Sequence, residues 1–323
     1  MGDLNYVYAV ARVRVKEKSL LTNADVAQMC GMRDADAVLA YLTDKGWGKP
    51  GERMGTEQML AAEEEKALAA LKELGAGKEV LEDLSLPKMY HNLKAGIKAT
   101  CTGTENPLAF YQNVEPSEKS LTRILAAKDW KALPEHMRPA AERAMEVMLR
   151  THDGQMCDII IDRACLDAMA AAGEKSPHEI LRTYLQEQVA VANIRTAVRG
   201  ARVGKSLAFF KEALAPVKGL SANRLAVTAA ESVEALLGYL SGTAYAGAAE
   251  AIAVSPSAFE RWCDDKIMES IRPQRRNAFS IGPVVAYYLA RQNEIRTARI
   301  LLTAKANGFP ESAIRNRVRE MYV

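Results

Sequence analysis

Asn193-Ile194-Arg195-Thr196-Ala197 returns 101 residues later as Glu294-Ile295-Arg296-Thr297-Ala298. Asn92-Leu93-Lys94-Ala95, a weaker copy, lies 101 residues before it. Gly103 and Gly204 follow their copies at the same distance, whereas Gly308 comes three residues late. Two equal offsets in a chain of 323 residues point to three tandem units of about 100 residues, each near the usual size of a domain. The expected units are 1–104, 105–206 and 207–323. Their borders fall in turn-rich stretches: Thr100 to Pro107, with Gly103, Thr104, Asn106 and Pro107, and Gly204 to Ser206. The run Gly46 to Gly51 and the pair Ser255-Pro256 mark loops inside units.

The units read as helical. Glu57 to Leu74 is a run of strong helix formers, stopped by Gly75 and Gly77. Pro283 suits a first helical turn, and Val284, Tyr288, Ile295, Ala298 and Leu302 then share one face. Arg291 interrupts that stripe, and the helix should end near Asn307-Gly308, before Pro310. Ile159-Ile160-Ile161 is one short β-branched run between Asp158 and Asp162, and helix is the better reading there. The expected class is all-α, with apolar stripes packed against one another.

Charge and composition remove several functions. With 43 basic and 40 acidic residues the net charge is +3, too small for a binder dominated by phosphate attraction. The five cysteines (Cys30, Cys101, Cys157, Cys165, Cys263) never stand as CxxC, which fits buried thiols in a reducing compartment better than disulfides or zinc. The uncharged run from Asn277 to Ala290 is too short to span a bilayer, which needs about 20 residues. The opening Met1-Gly2-Asp3-Leu4-Asn5 has no signal-peptide pattern.

Candidate chemistry is sparse, and no catalytic, cofactor-binding or metal-binding residues are assigned. Gly200 to Ser206 resembles a phosphate loop, but it is one residue short between the glycines and ends a helix instead of opening one. It reads as a helix C-terminus with Arg202 and Lys205 near the negative end of the dipole. Asp264, Asp265 and Glu269 suggest a magnesium cluster, yet lack a second acidic group, so a solvated acidic face opposing Arg272, Arg275 and Arg276 is expected. His152-Asp153 near Cys157 and Asp158 reads as capping or surface. Trp47, Trp130 and Trp262 read as core or loop anchors.

The placement of basic residues says more. Residues 261–323 hold 12 basic and 6 acidic side chains. Lys94 and Lys98, Arg195 and Arg199, and Arg296 and Arg299 recur near the end of each copy, and Arg202 adds to the second. Basic side chains at equivalent places in stacked units would line a surface for an acidic partner; intramolecular ion pairs are the alternative.

Ala290 to Leu302, continued by Lys305, Asn307-Gly308-Phe309-Pro310 and Ile314-Arg315 to Val323, resembles the C-terminus of the C subunit of the archaeal and bacterial A/V-type ATPases, whose eukaryotic counterpart is the V-ATPase d subunit. Tyr6 to Arg14 with Ser19 to Thr22 resembles that family's N-terminus, and Asn193 to Arg199 its central motif. Gly282 stands where the family often has an acid before the proline of its last long helix, and Gly46 to Glu65 has no counterpart. The resemblance implies a non-catalytic rotor subunit without cofactor. It implies a pseudo-threefold funnel on the cytoplasmic face of the membrane rotor ring, receiving the central shaft of subunits D and F. It implies neither a membrane span nor a nucleic-acid or small-molecule ligand. The readings that compete are a free helical-repeat scaffold, a magnesium enzyme and a nucleic-acid binder.

Overall fold

The computed structural model describes residues 4–104 and 110–323. Asn106 and Pro107, part of the first expected border, lie outside the described residues. The chain is all-α, with sixteen α-helices and no strand among the described residues. Ile159 to Ile161 lies inside Gly154–Lys175, and the uncharged run after Asn277 feeds Gly282–Ala306. No helix among the described residues is long and apolar enough to cross a membrane.

The repeat is carried by three long helices, Lys78–Thr102, Glu179–Arg202 and Gly282–Ala306, of 25, 24 and 25 residues. Each is followed by a glycine with a left-handed backbone: Gly103 at φ 68°, Gly204 at 66° and Gly308 at 67°. A side chain at that conformation meets the carbonyl, so glycine recurs because each copy ends in the same turn. Gly308 is late because the third helix runs three residues further past its motif than the second. Each long helix is led in by another helix: Thr56–Glu73, Gly154–Lys175 and Pro256–Ile271. The loop at Ser255 is a single extended residue: it caps Pro256–Ile271 by accepting from the Ala258 N–H at 3.0 Å, and Pro256 opens the helix where no donor is needed.

The chain forms two compact units. One comprises Met1–Gly77, Pro177–Tyr184 and Ala246–Val323; the other comprises Lys78–Ser176 and Leu185–Tyr245. In the first, Leu21, Val26, Met29, Val38, Leu42 and Leu60 share a core with Ile295, Ala298, Leu301, Ile314 and Met321. Both ends of the sequence therefore complete one core. Lys305 donates to the Cys30 and Met32 carbonyls, and the Met321 N–H donates to Asn23 Oδ1 at 2.9 Å. The third long helix is buried on every side from Gly282 to Arg291, so the expected stripe understates its burial. In the second unit, Lys78–Thr102 packs on Gly154–Lys175, Arg138–Thr151 and Glu118–Ala127. Leu93, Ile97, Leu121 and Ile161 are fully buried there.

Candidate functional site

The basic residues of the first and third copies sit where the long helices meet the leading helices. In the second unit Lys94 pairs with Asp162 at 2.7 Å and Lys98 with Asp158 at 2.6 Å. In the first unit Arg299 pairs with Glu57 at 2.5 Å and Arg296 with Asp264 at 2.9 Å. Glu57 and Asp158 are themselves 101 residues apart, so the Lys98 and Arg299 pairs are one contact made twice. The intramolecular alternative thus holds for these four. All four basic side chains stay part-exposed, and such pairs contribute only about 0–1 kcal/mol each. Arg195 is half-buried and Arg199 is exposed. Arg202 is exposed and makes no ion pair among the described residues.

The leading residue of each motif has a structural task that the sequence alone does not reveal. Asn92 is fully buried; its Nδ2 donates to the Tyr111 carbonyl at 2.9 Å and its Oδ1 accepts from the Tyr111 N–H at 2.8 Å. Asn193, equally buried, clasps Ala215 in the same way at 2.7 and 3.0 Å. An amide carries both a donor and an acceptor, so it satisfies both backbone groups of a non-helical residue. Glu294 stands in the third copy and accepts from the Leu21 N–H at 2.6 Å. That residue lies near the start of the chain, so the third copy is completed by the N-terminal segment.

Arg291 meets the second oxygen of Glu294. Arg291 also pairs with Glu63, and its guanidinium lies 4.9 Å from the centre of the Trp47 ring. Glu63 further accepts from the Gly48 N–H at 2.8 Å and from Lys66 at 2.7 Å. Arg291, Glu63 and Glu294 are 6%, 1% and 2% exposed. Burial pushes the Glu294 carboxyl up to about 8, against the pull of Arg291 and the Leu21 N–H. At Asp25 burial also opposes ionisation, but Lys45, Tyr41 and Thr22 outweigh it and hold that carboxyl far below its ordinary range. A cleft of about 460 Å³ opens beside this network, lined among others by Lys16, Lys45, Trp47, Lys66, Tyr287 and Arg291. Its carboxylates are committed: Glu63 to Arg291 and Lys66, Glu73 to Arg12. The arrangement fastens helices together.

One expected acidic face is corrected. Asp264 is 6% exposed, not solvated, and its two oxygens accept from Arg296 at 2.9 Å and Arg319 at 2.6 Å. Arg272 and Arg275 turn elsewhere, to Glu320 and over the Tyr322 ring. Asp265 accepts from the Glu320 N–H, and burial lifts its carboxyl to about 6. Only Glu269 is exposed as expected, beside Lys266. Gly200 lies in the last turn of its helix, and Ser206 caps the next one. Asp153 caps Gly154–Lys175, Asp158 is held by Lys98, and burial pushes the Cys157 thiol up to about 11.

A model of the ATP synthase (C/AC39) subunit family matches residues 9–317. The C subunit of the V-type ATP synthase of Thermus thermophilus is 25% identical over 333 aligned positions, covering 98% of this chain and 99% of that one. The C subunit of the V-type sodium ATPase of Enterococcus hirae is 22% identical over 270 positions, 82% of each chain.

Proposed function

The chain belongs to the ATP synthase (C/AC39) subunit family, and from that membership we propose that it is the non-catalytic central-rotor subunit of a V/A-type ATPase. It couples the membrane rotor ring to the central shaft of subunits D and F, on the cytoplasmic side, so that ion transport and ATP hydrolysis or synthesis turn together. The observation that carries this reading is the family match over nearly the whole chain. The construction agrees with the task. Torque transfer needs stiff elements, and long helices, each with a buried face, deform little under load. The three copies correspond to units 1–104, 105–206 and 207–323 of a pseudo-threefold funnel.

In this reading one end of the funnel holds the shaft partly through Arg195, Arg199 and Arg202, with Lys94, Lys98, Arg296 and Arg299 at the related places of the other copies. The last four hold acids of their own chain, and Arg195 and Arg199 also interact within it, so their charge is shared between fold and partner. Reversing the charge of Arg195 and Arg199 together should weaken capture of the purified D/F shaft, with a salt-dependent loss. Unchanged capture at low salt would overturn this assignment. Failure of the wild-type chain to co-purify with a membrane ATPase would overturn the rotor reading itself.

A further inference from the structure

The long helices are entered in different ways. Four residues link Thr56–Glu73 to Lys78–Thr102 and three link Gly154–Lys175 to Glu179–Arg202. Ten residues, Arg272 to Ile281, link Pro256–Ile271 to Gly282–Ala306. Three or four residues suffice to join the leading helix to the long one in the other copies, so the third link carries more than the repeat needs.

That link is held firmly. Arg14 donates to the carbonyls of Gln274 and Asn277 at 2.9 and 2.8 Å. Asn277 donates to Gln274 Oε1 at 3.1 Å, and its Oδ1 accepts from the Phe279 N–H at 3.1 Å. The Gly282 N–H donates to Ser280 Oγ at 3.1 Å. A Cβ on Gly282 would stand 1.9 Å from Gln274 Oε1, so the buried Gln274 fills the space a side chain would take. Ile281, almost fully buried, anchors the end of the link.

From this fixed base Phe279 projects with 63% of its surface exposed. Arg275 and Arg276, both exposed, precede it, and residues 270–293 contain four arginines and no acid. A lone exposed phenylalanine is ordinary. A phenylalanine on a pre-ordered base beside two arginines has the composition of an interface hot spot, with little ordering entropy left to lose on binding. We propose that residues 272–281 form a docking anchor for a protein partner: Phe279 enters an apolar pocket whose rim carries carboxylates facing Arg275 and Arg276. A bilayer surface fits less well, because one aromatic ring and two arginines supply little insertion area. The inference rests on the rotor reading only for its probe, the ATPase complex lacking this subunit.

The test places a photoreactive benzoylphenylalanine at Phe279 in the full chain, adds that depleted complex and irradiates. The expected product is a crosslink to one other protein of the complex, at an apolar stretch bordered by Asp or Glu. In parallel, Phe279→Ala should weaken assembly at least tenfold, and Arg276→Glu should weaken it most at low salt; both residues are exposed, and unchanged melting curves verify the fold. A crosslink only to lipid or to a second copy of this chain overturns the proposal. Assembly of Phe279→Ala at the wild-type level overturns it too, while the rotor reading stands. Failure of the wild-type chain to assemble overturns the rotor reading and this proposal with it.

Discussion

Arg291 shows what a single buried charge does here. It is shared by Glu63 and Glu294, and removing it leaves two buried carboxyl groups, of which Glu63 keeps Lys66. Arg291→Met should therefore destabilise by about 3–5 kcal/mol in urea unfolding, and adding Glu294→Gln should recover part of the loss. The pH dependence has a definite sign. Burial holds the proton on Glu294 to about 8 and on Asp265 to about 6, above their ordinary values of 4.5 and 3.8. The folded state then binds more protons than the unfolded one between those limits. The stability these groups contribute is complete below their ordinary values and is lost as pH rises through about 6 and about 8. Urea midpoints should fall across this window, and less steeply in Glu294→Gln. Beyond the Arg291–Glu294 pair, three residues apart, none of this is legible locally. Arg291 reads as a break in an apolar stripe because Glu63 is 228 residues away. Asp264 reads as solvated because its partners Arg296 and Arg319 lie 32 and 55 residues further on.

At the scale of helices the sequence is a better guide. Propensity, Pro283 and the terminal glycines place Thr56–Glu73 and Gly282–Ala306 within a residue or two of their observed ends. Those signals are local and do not depend on what the helix packs against. Gly204→Ala should cost about 1–2 kcal/mol in thermal or urea unfolding, because it forces a Cβ into the left-handed turn, and Gly204→Asn should cost less. Asn193→Ala should cost about 2 kcal/mol or more, since it leaves the Ala215 N–H and carbonyl without their partners. The repeat marks Asn92 and Asn193 as special, but their role is not legible, because each partner lies in a non-helical segment whose path is set by packing.

For the molecule as a whole, the 101-residue period locates the copies along the chain but does not tell which segments share a core. Leu21 and Glu294 are 273 residues apart and directly bonded. A chain lacking residues 1–22 should therefore lose amide-exchange protection in Gly282–Ala306 while Lys78–Thr102 keeps its own, since the latter belongs to the other compact unit. Equal loss in both helices would contradict the division.

The shared core of the two chain ends also sets an order of events at the ribosome. Leu21, Val26 and Leu42 emerge early, but Ile295, Leu301 and Ile314 are added more than 250 residues later. At roughly 5–20 residues per second the early segment waits about 13–50 s with its apolar side uncovered. During synthesis this amino-terminal stretch therefore keeps its apolar side open until Gly282–Ala306 and Ile314 arrive to close the core.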